Sequence, residues 1–158
     1  GDILDISFGE RKFDIVTLWN VLEHLPHPVE SIQKVRSLLK EGGILIAAVP
    51  NFHSFQSRVF RDRWYHLEVP RHLYHFDPDS LAKLLSNQGF SILGLSHYSI
   101  ENNWAGIMAS IVPLVSPGRS LAGRALRKGF GQPLARVAAH LESVVGRGGT
   151  FTMIARIR

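Results

Sequence analysis

Two short runs of apolar residues, at 13–20 and 44–49, most constrain the fold of this 158-residue chain. Apolar side chains fall on both faces of each run, which predicts strands covered by helices on two sides, as in parallel sheets. Between the runs, Pro28 opens a segment whose apolar residues recur at helical spacing. The segment therefore predicts a right-handed strand–helix–strand unit.

Residues with special backbone preferences mark the expected ends of the helices. Gly42 is expected to end the first helix in the left-handed conformation. Asp77 and Pro78 predict the start of a second helix, as its N-cap and first helical residue. Gly89 is expected to end that helix, and a third strand to follow at 90–97. This alternation of strands and helices predicts an α/β fold with a mostly parallel sheet.

The distribution of charge divides the chain into three parts. The net charge is +5, and six bases against one acid lie between residues 116 and 147. We therefore distinguish a neutral α/β part at 1–100, a basic helical insert at 101–147 and a closing strand at 148–158. The insert is interpreted as a lid or substrate region, or alternatively as surface helices with solvated arginines.

Composition excludes several classes of protein. A chain that is 45% hydrophobic and 20% charged is neither disordered nor collagen-like. The absence of cysteine excludes disulfides, thiolate metal sites and cysteine nucleophiles, and it fits a reducing compartment. No apolar run approaches the roughly 20 residues that span a bilayer. We expect a cytoplasmic protein without a transmembrane segment.

Ligands of open α/β sheets bind beyond the carboxyl ends of the parallel strands. Two segments occupy such positions in the predicted sheet. They are 20–24, after the first strand, and 50–52, after the second. Candidate functional residues are therefore sought there first.

A series of motifs follows the same order along the chain. They are Phe13-Asp-Ile-Val, Asn20-Val-Leu-Glu-His-Leu25, Leu39-Lys-x-Gly-Gly-x-Leu-Ile46, Val49-Pro-Asn51, Pro70-Arg-His-Leu-Tyr-His-Phe76 and Ser80-Leu-x-x-Leu-Leu-x-x-x-Gly-Phe90. Together they resemble class I S-adenosylmethionine-dependent methyltransferases over about residues 1–100. Residues 150–158 resemble the last, antiparallel strand of that family.

The resemblance implies a partial Rossmann-like sheet, made of family strands four to seven, with helices on both faces and a helical insert. The family's first strand and its glycine-rich cofactor loop would precede Gly1. We therefore expect the chain to be the C-terminal half of a methyltransferase whose cofactor is S-adenosylmethionine.

The resemblance also implies which residues contact the cofactor. Asp2 matches the acidic residue that accepts a hydrogen bond from the adenine amino group, and Ile3 the residue whose amide meets the ring edge. Asn20 and Val21 match the strand end that approaches the methionine part. Alternatively, Asp2 is an ordinary exposed terminal residue and Asn20 only caps a turn.

On the acceptor side, the resemblance points to histidines. His72 matches a family histidine that could orient the acceptor or remove its proton, since imidazole titrates near pH 6.5. Alternatively, His72 only bonds backbone to hold its loop. His24 faces the same cleft in this interpretation. The residues expected to contact the acceptor are Glu23, Trp64, Tyr65 and His75. Trp64 and Tyr65 are equally explained as core aromatics.

The histidines at 72 and 75 do not predict a metal site. His72 and His75 are one helical turn apart, but Pro70 and Pro78 bracket them and leave little room for a regular helix. Without converging ligands on fixed elements, no metal is predicted.

Three functions remain open from sequence. The first is methyl transfer from S-adenosylmethionine to a small-molecule or lipid-like acceptor, on oxygen, carbon or nitrogen. The second is a non-catalytic module that pairs, for example as a homodimer, through an exposed strand at 13–20. The third is a basic membrane or nucleic-acid surface at 116–147. Nucleic acid is the less expected partner, since Phe130 is the one aromatic residue in that segment.

Overall fold

A computed structural model describes residues 3–115 and 131–158. Its sheet contains β1 (Phe13–Trp19), β2 (Leu39–Pro50), β3 (Phe90–Ser96) and β4 (Thr150–Ile157), in the order β1–β2–β4–β3. β1 and β2 are parallel, and β4 runs antiparallel to β2 and to β3. Three of these strands thus point the same way, which confirms the Rossmann-like α/β class and the antiparallel closing strand.

Five helices surround this sheet in the described ranges: α1 (Pro28–Leu38), α2 (Phe55–Phe60), α3 (Pro78–Asn87), α4 (Ile100–Val115) and α5 (Gly131–Val144). The predicted start of α3 is confirmed. Asp77 accepts a hydrogen bond from the Ser80 amide at 2.8 Å, and the Ser80 hydroxyl accepts one from the Asp77 amide at 2.9 Å. This reciprocal capping box, with Pro78 as the first helical residue, fixes where the helix begins.

The predicted end of α1 is wrong. The helix ends at Leu38 rather than near Gly42, and β2 begins at once with Leu39. Gly42 does adopt a positive φ of 68°, but within an irregular part of β2. There Phe13 pairs with Leu39 while Ile15 pairs with Ile44. The glycine is needed for the bulge that brings β2 into register with β1, not for a helix cap.

The burial of β1 also differs from the expectation. Leu18 is buried in the main core, whereas Ile15 and Trp19 are 56% and 57% exposed. Among the described residues, β1 pairs on one side with β2 and on the other side with nothing. The edge of β1 away from β2 is therefore unpaired, and the face that carries Ile15 and Trp19 is open to solvent. The main core lies between the sheet and helices α1 and α3, around Leu45, Phe90 and Phe151.

The insert forms a second, smaller core. α4 and α5 pack together through Ile107, Met108, Ala135 and Ala139. Four of its six bases lie outside the described residues: Arg119, Arg124, Arg127 and Lys128. No helix in the described ranges has the length and apolar character needed to cross a bilayer.

A buried polar network attaches the insert to the sheet. Asn103 of α4 accepts hydrogen bonds from the amide and hydroxyl of Thr150, at 2.8 and 2.9 Å. Glu142 of α5 accepts from the Gly149 amide at 3.1 Å and from the side chain of Gln56. The side-chain Nε2 of Gln56 also donates to the backbone carbonyl of Asn103 at 2.9 Å. The side chains of Asn103, Gln56 and Glu142 are buried, so these bonds satisfy groups that water cannot reach.

This network makes stability depend on pH. Burial raises the pKa of Glu142 from 4.5 to about 7. The folded state therefore binds more protons than the unfolded state between these pH values, and stability falls as pH rises through that window. Above it, the buried charge costs up to roughly 3 kcal/mol. The variant Glu142→Gln keeps an acceptor oxygen. In this variant we expect the free energy of unfolding, measured by urea denaturation, to fall less between pH 5 and 8 than in the parent. An equally steep decline in the variant would contradict the assignment.

Candidate functional site

The candidate site lies where the two parallel strands end. Trp19 pairs with Ala48, and the Asn20 amide donates to the Ala48 carbonyl at 2.9 Å. The chain then leaves β1 through a short 3₁₀ turn at Leu22–His24. After β2, the Asn51 side chain donates to the Gly148 carbonyl at 2.9 Å and ties that strand end to the start of β4.

The predicted cofactor residues are only partly described. Asn20 and Val21 are exposed at the tip of β1, and Asn20 has a positive φ of 50°. Ile3 is half-buried and packs against the main core. Asp2 lies outside the described residues. Asn and Asp tolerate the left-handed region better than other residues with a side chain, which explains the residue type at the strand end.

The backbone of Glu23 connects this turn to the loop at 70–76. Its carbonyl accepts hydrogen bonds from the amides of Leu73 and Tyr74, at 2.8 and 3.2 Å. A third bond, from the Phe52 amide to the Phe76 carbonyl at 2.8 Å, joins the same loop to the end of β2. The loop is thus held across both strand ends.

The Glu23 side chain is buried without a partner. The residue is 1% exposed, and neither carboxylate oxygen has a hydrogen-bond partner among the described residues. Burial, with a smaller contribution from the nearby Glu68 carboxylate, raises the pKa of Glu23. An unsatisfied buried carboxyl group is rare and marks a site with a function or a missing ligand.

Two predicted histidines lie next to this carboxylate. The rings of His24 and His72 are 4.6 Å apart between centroids. Nδ1 of His24 lies 2.9 Å from the Arg71 carbonyl, and Nδ1 of His72 lies 2.7 Å from the His66 carbonyl. Burial, aided by His24 and His75, lowers the pKa of His72 and favours the neutral ring. The backbone contact expected for a structural His72 is present, and its other nitrogen, Nε2, lies 3.3 Å from a carboxylate.

Glu68 is a site residue that sequence reasoning missed. It adopts a left-handed conformation, with φ 35° and ψ 43°. Its carboxylate lies 3.3 Å from Nε2 of His72 and also pairs with Arg71. Strained residues of this kind concentrate at functional sites. The only sign of this pair in the sequence is the spacing of four residues between Glu68 and His72. Such a spacing brings side chains together in a helix, but these residues do not form one.

The remaining predicted acceptor residues separate into two groups. Trp64 is 2% exposed and lines a cavity of about 520 Å³ with Phe52 and Leu67. Its indole N–H has no hydrogen-bond partner among the described residues. Tyr65 and His75 are not among the cavity's lining residues. Tyr65 is 52% exposed, and His75 contacts the Leu67 carbonyl at 2.9 Å.

A larger groove, of about 730 Å³, lies at the opposite end of the strands. Arg36, Lys40 and Arg158 line it, close to where β2 begins and β4 ends. Ligands of such sheets bind at the carboxyl ends of the parallel strands. The smaller cavity beside Trp64, next to the end of β2, is therefore the better candidate for a binding cavity.

The comparisons with known proteins agree with this geometry. A family model described as a methyltransferase domain matches residues 2–95, more than half of the chain. The chain belongs to this family. Its sheet is that of the class I S-adenosylmethionine-dependent methyltransferases, as the resemblance implied.

Individual relatives are more distant or match a shorter stretch. A ubiquinone biosynthesis O-methyltransferase of Glaesserella parasuis is 50% identical over 41 residues, which are 26% of this chain and 17% of that protein. A SAM-dependent methyltransferase structure from Thermotoga maritima has a TM-score of 0.59 at 13% identity, covering 100% of this chain and 62% of that one.

A third similar protein is a phosphoethanolamine N-methyltransferase of Haemonchus contortus, in complex with S-adenosylhomocysteine. It has a TM-score of 0.56 at 14% identity, covering 99% of this chain and 36% of that one. At these identities the two structures establish the fold alone. The chain spans less than two thirds of the length of each of these relatives.

The backbone of Asn20 allows a test of its role at the strand end. In Asn20→Ala, we expect the positive φ to lower the free energy of unfolding by about 1–2 kcal/mol. Asn20→Gly is the matched control and should stay within a few tenths of a kcal/mol of the parent, because glycine adopts this conformation freely. Urea denaturation of both variants measures the difference. Equal stability of the two would show that the conformation carries no strain.

Proposed function

We propose that this chain is part of an enzyme that transfers a methyl group from S-adenosylmethionine to a small-molecule acceptor. The observation that carries the proposal is the cluster of Glu23, His24 and His72 at the carboxyl ends of two parallel strands. Family membership supports the reaction class, and the site supports the role of the cluster on the acceptor side.

The exposed end of β1 supports a cofactor site. Trp19 and Asn20 are exposed there, next to the open edge of the sheet. In this proposal Asn20 and Val21 meet the methionine part of S-adenosylmethionine, and Asp2 and Ile3 meet its adenine. When bound, the cofactor supplies a methyl group on a good leaving group, so the protein's task is mainly to position the acceptor.

The residues of the cluster would handle the proton of the acceptor. Methyl transfer to a hydroxyl forms a bond between oxygen and the methyl carbon, breaks the bond between that carbon and sulfur, and releases the hydroxyl proton. Nε2 of His72 or of His24 is placed to take that proton, because a carbonyl already occupies each Nδ1. The buried setting keeps the His72 ring neutral, as a base requires.

The shape of the adjoining cavity supports a flat or apolar acceptor. Phe52, Trp64 and Leu67 provide apolar walls, and Arg58 and Arg61 lie at the same cavity. α4 supports this wall, since the Tyr65 amide donates to the Ser110 hydroxyl at 2.9 Å. The O-methyltransferase name of one relative favours a hydroxyl acceptor. We therefore propose the insert as part of the acceptor side, with Glu23, Tyr65 and His75 around it.

Cofactor binding and turnover test this proposal separately. We expect calorimetry to detect binding of S-adenosylhomocysteine by the longest natural protein that contains this chain. We also expect His72→Gln to keep that binding while lowering kcat by about 10²-fold or more, with labelled S-adenosylmethionine and a panel of phenols and catechol as acceptors.

His27→Gln is the control, because His27 is an exposed residue at the start of α1 that lies outside the cluster. It should leave both binding and kcat unchanged. A protein that does not bind S-adenosylhomocysteine would contradict the proposed activity. An unchanged kcat in His72→Gln would remove this residue from the reaction.

The open edge of β1 supports a second proposal, that the strand pairs with another chain segment. Ile15 and Trp19 expose apolar surface on an unpaired edge of the described sheet, and such edges template further pairing. Either preceding residues of the same protein or a second copy would cover it. Pairing with a second copy corresponds to the non-catalytic, homodimeric module that was the second of the functions left open by the sequence.

Sedimentation distinguishes these outcomes for the 158-residue chain. If β1 pairs with a second copy, the chain should sediment as a dimer and Ile15→Lys should shift it to monomer, because a lysine disfavours edge pairing. Val59→Lys, at a position that is 70% exposed on α2, is the control and should remain dimeric. A monomer at all concentrations would exclude the homodimer.

A further inference from the structure

We propose that Glu23, His24 and His72 bind a divalent transition-metal ion, of which Zn²⁺ and Fe²⁺ are the best matches. Each residue offers one ligand atom, and these atoms all lie within 4.8 Å of one another. Residues 23 and 24 come from the turn after β1, and residue 72 from the loop held across the strand ends. The three ligands therefore converge from two fixed segments.

The hydrogen bonds of the two imidazoles determine which nitrogen is available. A carbonyl oxygen can only accept, so Nδ1 of His24 and Nδ1 of His72 each carry the proton, at 2.9 and 2.7 Å from their carbonyl partners. In the neutral rings both Nε2 atoms are then bare lone pairs. Histidines that bind metals typically hold their other nitrogen in this way, with an N–H donated to a backbone carbonyl.

The buried carboxylate supplies the second, independent observation. Glu23 is 1% exposed, and both of its oxygens lack a hydrogen-bond partner in the described part of the chain. Leaving such a group unsatisfied is unfavourable. A cation bound by the carboxylate removes this penalty.

Glu68 adds a further negative group to the cluster. Its carboxylate is 3.3 Å from Nε2 of His72, so an oxygen faces the bare lone pair of a neutral imidazole. A proton on Nε2 of His72 would make this contact an ion pair, and a metal ion at the three ligands would likewise attract the carboxylate. Arg71 pairs with Glu68 and neutralises part of its charge. The negative charge beside the cluster therefore favours a cation there.

The donor set determines the class of metal. Two imidazole nitrogens and one carboxylate oxygen suit Zn²⁺ and Fe²⁺, whereas Ca²⁺ and Mg²⁺ prefer sites made of oxygen ligands. Three protein ligands leave at least one coordination position open. His24 is only half-buried and leaves a path from solvent. If the proposed methyl transfer holds, the acceptor oxygen takes the open position, and the metal lowers the pKa of the acceptor hydroxyl. Both Nε2 atoms are then ligands, so the neighbouring Glu68 carboxylate, rather than a histidine, takes the hydroxyl proton.

A titration with Co²⁺ tests the site without relying on activity, because bound Co²⁺ absorbs visible light. The 158-residue chain, free of affinity tags and treated with a chelator, should bind one equivalent, and Zn²⁺ should displace it. His24→Gln and His72→Gln should each weaken binding by at least about tenfold, and Glu23→Gln should do so without changing the shape of the side chain. His27→Gln should bind as the parent does.

Circular dichroism melts of each variant identify any loss of fold, and either histidine variant suffices if Glu23→Gln unfolds. The inference is overturned if no Co²⁺ binds, or if it binds equally well after all three substitutions. A protein that binds metal here but not S-adenosylhomocysteine would retain this site and lose the proposed methyl transfer. The reverse result would remove the metal site alone.

Discussion

The backbone carbonyl of Glu23 is the constraint on which the site depends. By accepting hydrogen bonds from two successive amides, at Leu73 and Tyr74, it holds the loop at 70–76 over the end of β1. This contact spans some fifty residues of sequence and places His72 beside His24. Backbone bonds of this kind do not depend on side-chain identity. The cluster is therefore positioned by the main chain, while its chemistry is set by the three side chains.

The attachment of the insert depends on a different kind of constraint. Buried Asn103 and Glu142 link α4 and α5 to the start of β4, and Gln56 of α2 bonds to both of them. Because partly satisfied buried groups are unfavourable, these elements are held together in one arrangement. The residue that follows Trp64 is bonded to α4 through the Ser110 hydroxyl, so this cavity wall is attached to the same helix.

Local rules predicted local structure well, and they did not predict contacts across the chain. The capping box at Asp77 and the strands at 13–19 and 150–157 follow from neighbouring residues alone. The end of α1 does not follow from neighbouring residues, because the bulge that requires Gly42 depends on the pairing of β2 with β1. The resemblance placed His24 and His72 at one cleft, and the structure brings their rings to 4.6 Å. The contact that positions them, through the backbone carbonyl of Glu23, leaves no mark in the sequence.

The position of β4 has a consequence for how the molecule assembles. β2 and β3 do not touch in the sheet, since each pairs with β4 between them. During synthesis the ribosome therefore releases β2 and β3 well before the strand that joins them. Until residues 150–157 emerge, β2 and β3 each lack a partner along one edge, and this part of the sheet closes only when β4 pairs with both.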